Sequence, residues 1–425
     1  MKQIKPIKSL NSVVRVPGSK SYTQRALITS ALADGRSVIR DALISEDTEH
    51  LIEALQALGA SIAQEGHDLV VQGTGGKLAT PSSSLYLGNN GTGFRFLTST
   101  VALGRGTFVL DGNRRMRERP IQPLVDALNM MGVEACCIER NGFPPVEIKA
   151  QGLPGGTVRL TRGLSSQYVS SLLLAAPYAE KDTVIEVLTS LPSWPYINLT
   201  LDVMERFGVE VFVSEDRRFH IKARQAYQPR EYAIEGDLSS ATYFMAAAAI
   251  VGQPIKISNV NPNSLQGDLR FLEILKIMGC KVSTSGEGIE VAGPLLNHED
   301  LSFDLKDVPD MVPALAVVSA FRKGKTTLKN ILHLRLKESD RIAALTCELR
   351  KIGARAEEMA DEMIVQGVAS NGAEIDCYSD HRIAMSFAVA GLAIEGISIK
   401  DPGCVKKSFP DFWQKLDSLG SGRRP

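Results

Sequence analysis

Six times along the chain a helix-like, amphipathic stretch closes on a large apolar residue followed by glycine: Leu58-Gly59, Met131-Gly132, Phe207-Gly208, Met278-Gly279, Ile352-Gly353 and Leu419-Gly420. By subtraction of positions, the glycines lie 73, 76, 71, 74 and 67 residues apart. Glycine accepts the left-handed backbone that ends a helix. After each of the first five comes an alternating or apolar run, such as residues 209–213, Val-Glu-Val-Phe-Val. The order is helix, cap, strand, and a period this long predicts one supersecondary unit copied six times.

A chain of 425 residues fits about two to four domains, and six copies divide into two groups of three. A helix-like stretch over Ser21–Ala33 precedes the first glycine-ended helix, expected over Thr48–Leu58, so each copy holds two helices with short strands between them. The first three copies define a domain over residues 17–235. The next three occupy residues 236–425, and residues 1–16, with the strand-like Val13-Val14-Arg15-Val16, are expected to pair with them as a discontinuous domain. Two connecting strands near Pro17 and Gly236 would form a hinge, and a hinge predicts a cleft that closes. The tail from Gly420 to Pro425 is expected to fray.

Composition excludes several classes. At 44% hydrophobic and 23% charged, the chain has the make-up of an ordinary globular protein. Its 48 basic and 48 acidic residues cancel, so no global field recruits nucleic acid or an anionic membrane, and any anion site must be local. Cys136, Cys137, Cys280, Cys347, Cys377 and Cys404 lack paired metal-ligand spacing and read as buried reduced thiols. The start lacks the apolar core of a signal peptide, and no run approaches the roughly 18 apolar residues of a membrane span. The expectation is a cytoplasmic protein.

The chemistry lies in what precedes the other helix of each copy. Pro17-Gly18-Ser19-Lys20-Ser21 opens a helix carrying Arg25, and residues 88–93, Gly-Asn-Asn-Gly-Thr-Gly, open one carrying Arg95. Ser165-Ser166-Gln167, residues 236–240 and Asp380-His381-Arg382 open three more; Asp307 to Asp310 is the acidic exception. Small residues at a helix start leave backbone amides free where the dipole adds about half a positive charge, so such turns hold anions. Serine, threonine and aspartate are equally ordinary N-caps, and neither glycine-rich loop has the spacing of a P-loop or a dinucleotide fingerprint. Recurrence at one place in the repeat favours anion binding. So do the basic clusters at residues 114–120, at Lys337 and Arg341, and at Lys406-Lys407, which would be unfavourable with no anion to balance them.

Together these motifs resemble the 5-enolpyruvylshikimate-3-phosphate synthase family of enolpyruvyl transferases. The resemblance runs from residues 17–21 to residues 407–411, Lys-Ser-Phe-Pro-Asp, and passes in order through residues 88–92, 115–121, 165–167, 235–240, 337–341 and 380–382. It implies a two-domain inside-out α/β barrel with three βαββαβ repeats per domain and the active site between them. It also implies transfer of enolpyruvate from phosphoenolpyruvate to the 5-hydroxyl of shikimate 3-phosphate, with no metal or redox cofactor, in a monomer that is the target of glyphosate.

Both substrates carry a carboxylate and a phosphate, and arginine forks suit such groups. The resemblance implies that Lys20, Gly91, Arg119, Gln167, Arg341, Arg382 and Lys407 bind phosphoenolpyruvate. It implies that Lys20, Ser21, Arg25, Ser165, Ser166, Gln167, Ser193, Tyr196, Asp310 and Lys337 bind shikimate 3-phosphate. Asp310 would be the base at the 5-hydroxyl, Glu338 the acid at C3, and Lys20 an assistant at the bridging oxygen. Read alone, Asp310 is equally an N-cap for a helix over Met311–Ala320, and Glu338 an ion pair with Arg341 at three-residue spacing. His381 would support Arg382. Asn90, Gly93, Phe96, Trp194 and His333 depart from the family's best-known branch, which has alanine at the first two positions and proline, lysine and asparagine at the others. Two rivals remain: a sister enzyme acting on a UDP-amino sugar, and an inactive phospho-ligand-binding domain.

Overall fold

The computed structural model describes residues 1–8, 12–161, 165–286 and 288–420. The chain forms two compact units, Gly18–Ile234 and a second built from Met1–Pro17 with Glu235–Pro425. The repeat of the sequence appears in each as sheets and helices of one recurring order, and the tail 421–425 lies outside the described residues.

The Gly18–Ile234 unit holds helices α1 (Lys20–Leu32), α2 (Glu46–Ala57), α3 (Gly91–Thr100), α4 (Gln122–Met130), α5 (Ser166–Ala175) and α6 (Pro195–Arg206). They alternate between two types. Helices α1, α3 and α5 are buried on nearly every side, which fits interior helices. Helices α2, α4 and α6 bury one face, end on the repeat glycines, and lead into antiparallel hairpins such as Ser61–Glu65 with Asp68–Gln72. Gly59 and Gly208 sit at φ 105° and 81°, where a side chain would be strained. Three four-stranded sheets result, each with one parallel edge pair. In one of them the edge strand Glu231–Ala233 runs parallel to Arg36–Arg40, so the last strand of the unit completes its first sheet.

The other unit repeats the plan with α7 (Leu238–Val251), α8 (Arg270–Ile277), α9 (Val312–Ser319), α10 (Arg341–Lys351), α11 (His381–Ala390) and α12 (Phe412–Ser418). Here Ser12–Val14 runs parallel to Ile255–Ile257 at a sheet edge. The third sheet has three strands, Lys2–Gln3, Ser398–Ile399 and Glu374–Ile375. Among the described residues no hairpin follows α12. Each unit has its own continuous apolar core.

Two sequence expectations need correction. The helix expected over Met311–Ala320 spans Val312–Ser319 with Met311 as its N-cap, so Asp310 lies one position too early to cap it. Of the six free cysteines, Cys136 and Cys347 are exposed and Cys404 is half-buried; only the other three are buried.

Candidate active site

The residues singled out by sequence divide between the units, and each half has its own geometry. In the Gly18–Ile234 unit the starts of α1, α3 and α5 carry them. The turn before α3 is held by Asn90, whose Oδ1 accepts from Gly93 N at 2.8 Å and whose Nδ2 donates to Asp47 O at 2.6 Å. The Asp47 carboxylate in turn meets Lys20 Nζ at 3.1 Å, with both side chains largely out of water. Lys20 and the Gly91 turn are therefore linked through Asp47, which sequence reading missed because 27 residues separate the pair.

Around Gly91 three cationic or amide groups converge. Arg95 Nη1 donates to Gly91 O at 3.2 Å and to Gln167 Oε1 at 2.7 Å, and Gln167 Nε2 donates to Thr92 Oγ1 at 2.9 Å. Arg119 Nη1 reaches Asn89 O and Oδ1 at 3.2 and 3.1 Å. A methyl group at Gly91 would lie 2.6 Å from Arg119 Nη2 and 2.7 Å from Arg95 Nη1. The structure thus brings Gly91, Arg119 and Gln167 together and adds Arg95, Thr92 and Asn89. Arg119 is buried, whereas its neighbours in the basic loop are neutralised locally: Arg114 and Arg115 by Glu118 at 3.6 and 3.0 Å, and Arg117 by Asp111. Three arginines of that cluster pair with nearby carboxylates, so the cluster's crowding was weaker evidence than its sequence suggested.

A second group surrounds Arg25. Its Nε donates to Thr200 Oγ1 at 2.8 Å, Nη1 to Ser21 O at 2.9 Å and Nη2 to Tyr196 O at 2.8 Å, beneath a Phe96 ring 5.1 Å away. Burial lowers the Arg25 pKa to about 10, which still leaves the guanidinium charged at neutral pH. Ser193, nearly buried at the turn before α6, holds φ 65°, a region rare for a residue with a side chain and common at functional turns. Ser165 caps α5 by accepting from Gln167 N at 3.3 Å, and Ser166 is buried beside it.

In the other unit the starts of α7, α10 and α11 converge. Arg341, 1% exposed, donates Nε to Asp380 Oδ2 at 2.8 Å, Nη1 to Asp310 Oδ1 at 3.2 Å and Nη2 to Glu338 Oε2 at 2.7 Å. Burial pulls its pKa down, but Asp380, Glu338 and Asp310 outweigh that and hold it above the ordinary value. Arg382 Nη2 meets Asp310 Oδ2 at 2.8 Å, and its Nη1 lies 3.2 Å from Tyr243 Oη. Asp310 is thus gripped by two guanidinium groups instead of capping a helix. Asp380 caps α11 through Arg382 N at 3.0 Å while binding Arg341, a double role invisible in sequence. His381 is fully buried with Nδ1 3.7 Å from Asp380 Oδ1. Lys407 is buried in the turn Pro402–Lys407, which packs on α11. Lys337 lies in the segment between His333 and Glu338, partly exposed. The His333 imidazole is pushed down to about 3, first by burial and then by Lys337 and Arg341 against the opposing pull of Asp310.

These halves offer guanidinium and ammonium groups beside carboxylates, the equipment for holding phosphates and carboxylates while moving a proton. A family model described as EPSP synthase (3-phosphoshikimate 1-carboxyvinyltransferase) matches residues 4–416. The chain is 42% identical over 423 residues to the 3-phosphoshikimate 1-carboxyvinyltransferase of Sulfurovum sp., covering 98% of this chain and 99% of that one. It is 41% identical over 409 residues to the protein of that name from Nostoc punctiforme, covering 96% of each. Among solved structures, EPSP synthase from Acinetobacter baumannii superposes with a TM-score of 0.80 at 28% identity, over 98% of this chain and 97% of that one.

Proposed function

The chain belongs to the EPSP synthase (3-phosphoshikimate 1-carboxyvinyltransferase) family, and on that premise we propose how its own residues divide the work. The enzyme transfers the enolpyruvyl group of phosphoenolpyruvate to the 5-hydroxyl of shikimate 3-phosphate and releases phosphate, a step of the shikimate pathway. In our reading Lys20, Gly91, Arg119, Gln167, Arg341, Arg382 and Lys407 hold phosphoenolpyruvate. Lys20, Ser21, Arg25, Ser165, Ser166, Gln167, Ser193, Tyr196, Asp310 and Lys337 hold shikimate 3-phosphate.

The observation that carries this reading is the double grip of Arg341 and Arg382 on Asp310, with Glu338 on the same Arg341. Buried guanidinium groups are expensive to desolvate unless paired, and here they are paired with the two carboxylates that the reaction needs free. An incoming phosphate or carboxylate takes over the guanidinium donors and releases both acids for proton transfer. Asp310 accepts the proton of the 5-hydroxyl as its oxygen bonds to C2, and Glu338, protonated from water once Arg341 turns to the substrate, supplies the proton that C3 gains. In the second step C3 returns a proton, the C2–O bond to phosphate breaks, and the enol double bond reforms. Lys20, drawn toward Asp47 in the free protein, steadies the bridging oxygen.

Our reading further places the protein in the cytoplasm, supported by its six free thiols, and takes it as a monomer. Among the described residues no helix is long and apolar enough to cross a membrane. Glyphosate, a carboxylate and phosphonate like phosphoenolpyruvate, is proposed to compete for the same donors. Phosphate release by purified protein tests the whole: turnover with shikimate 3-phosphate and none with a UDP-amino sugar is expected. The reverse preference would overturn the assignment.

A further inference from the structure

Ser239 and Tyr243 stand four residues apart on α7 and therefore face the same side of the helix. Tyr243 Oη meets Arg382 Nη1 at 3.2 Å, while Ser239 Oγ donates to Asp268 Oδ2 at 3.0 Å. Asp268 lies in the turn Gly267–Leu269, packed between α7 and α8, and is 4% exposed. Its other oxygen, Oδ1, has no hydrogen-bond partner among the described residues. A buried carboxylate with one bare oxygen is unfavourable as an anion, whereas the protonated form carries a hydroxyl and less charge.

The groups that face Asp268 agree. Burial, followed by the negative charge of Asp310 and of Asp237 at the start of α7, pushes its carboxyl up to about 7, against the pull of Arg382 and Ser239. From α7 Tyr243 stays neutral, pushed up to about 12 by burial. On α8, Arg270 and Glu273 pair with each other at 3.3 Å, both half-exposed or more, and Lys276 is exposed, so none of the three offsets the buried charge.

We propose that Asp268 is a positioning residue of the transferase that takes up a proton from solvent when an anion binds at Arg382, removing a buried negative charge that the anion would otherwise face. The inference rests on our reading that Arg382 holds phosphoenolpyruvate. The step forms one O–H bond at the carboxyl and breaks none in the substrate; the proton comes from water or buffer. Ionised Asp268 repels an anion arriving at Arg382, and neutral Asp268 does not. Binding above neutrality then requires proton uptake, and one coupled proton raises KM for phosphoenolpyruvate toward about tenfold per pH unit.

The test compares the full-length parent with Asp268→Asn, which is neutral at every pH. KM for phosphoenolpyruvate is measured from about pH 6 to 9 by phosphate release, and the substrate's own ionisation cancels in the ratio of the two proteins. The ratio of parent to variant is expected to be flat below about pH 7 and to climb above it. A ratio that stays constant across the range overturns the proposal, since a purely structural role shifts all pH values alike. Should Asp268→Asn fold poorly, Ser239→Ala keeps the carboxyl and removes a donor that favours its ionised form, so the break in the parental profile should move to higher pH. An unmoved break is equally fatal. Arg382→Gln separates the two readings. If it leaves KM for phosphoenolpyruvate unchanged, the assignment of Arg382 fails and this inference falls with it. A raised KM there, combined with a flat Asp268→Asn ratio, removes only the role of Asp268.

Discussion

Glu338 Oε2 accepts a hydrogen bond from Arg341 Nη2 at 2.7 Å. The proposed acid and a proposed anion-binding arginine are therefore already bonded to each other, three residues apart at the start of α10. Ligand binding would exchange this bond for one to the substrate, which couples the arrival of phosphoenolpyruvate to the release of the carboxyl that must protonate it.

Glu338→Gln keeps the side-chain shape but cannot deliver a proton. Substrate binding by calorimetry should survive, while turnover falls by about 10²- to 10⁴-fold, the usual contribution of a general acid. Turnover within a few-fold of the parent would remove Glu338 from that role.

Gly91→Ala places a methyl group against the ends of Arg119 and Arg95. Both are flexible, so the turn should survive, but Arg119 shifts. Losing one charge-assisted hydrogen bond costs about 1.5 to 3 kcal/mol, or roughly ten- to a hundred-fold in affinity. Glyphosate, longer than phosphoenolpyruvate, should lose more than the substrate does. Inhibition constants set beside Michaelis constants decide this, and equal losses would show that the methyl group disturbs only the arginines.

His333 has its pKa depressed to about 3 by burial, with Lys337 and Arg341 adding to the effect. The unfolded chain binds this proton near pH 6.5 and the folded one does not. The neutral imidazole therefore costs nothing above that pH, and folding stability is lost as pH falls from about 6.5 toward 3, by at most about 1.4 kcal/mol per unit. Urea titrations at pH 7 and pH 5 should differ less in His333→Asn than in the parent, by about 1 to 2 kcal/mol. An undiminished difference would place the acid sensitivity elsewhere.

Phe409 packs its ring 5.5 Å from Phe412 and 6.0 Å from Phe244, two residues after Lys407. Phe409→Ala should cost about 3 to 5 kcal/mol as a core truncation, and any protein that remains folded should bind phosphoenolpyruvate less tightly because the Lys407 turn loses its anchor. Thermal unfolding and KM on one preparation check both parts.

Much of this was legible from sequence where the signal is local. The glycine after five of the six amphipathic helices ends them on a left-handed backbone, Gly59, Gly132, Gly208, Gly279 and Gly353 all showing positive φ, whereas Gly420 after α12 does not. Helix starts at Lys20, Gly91, Ser166, Leu238 and His381 follow from the small and capping residues before them. What stayed hidden depends on distant partners. Nothing near Lys20 points to Asp47, and nothing in residues 266–270 marks Asp268 as a neighbour of Asp310, since the repeats bring these segments together only when their helices pack. Asp310 itself was ambiguous because a helix with Pro313 in its first turn starts one residue later than its spacing suggests.

The interior helices carry a consequence for how such a protein can change. Every residue from Leu238 to Ala249 on α7, from Val312 to Ser319 on α9 and from His381 to Ala390 on α11 is buried. A helix with no water-facing side has no position where a single substitution is neutral by default. Drift in sequence is then channelled to the outer strands, and a change in ligand preference has to enter through the opening turns of these helices, where one altered residue moves a donor without disturbing the packing beneath it.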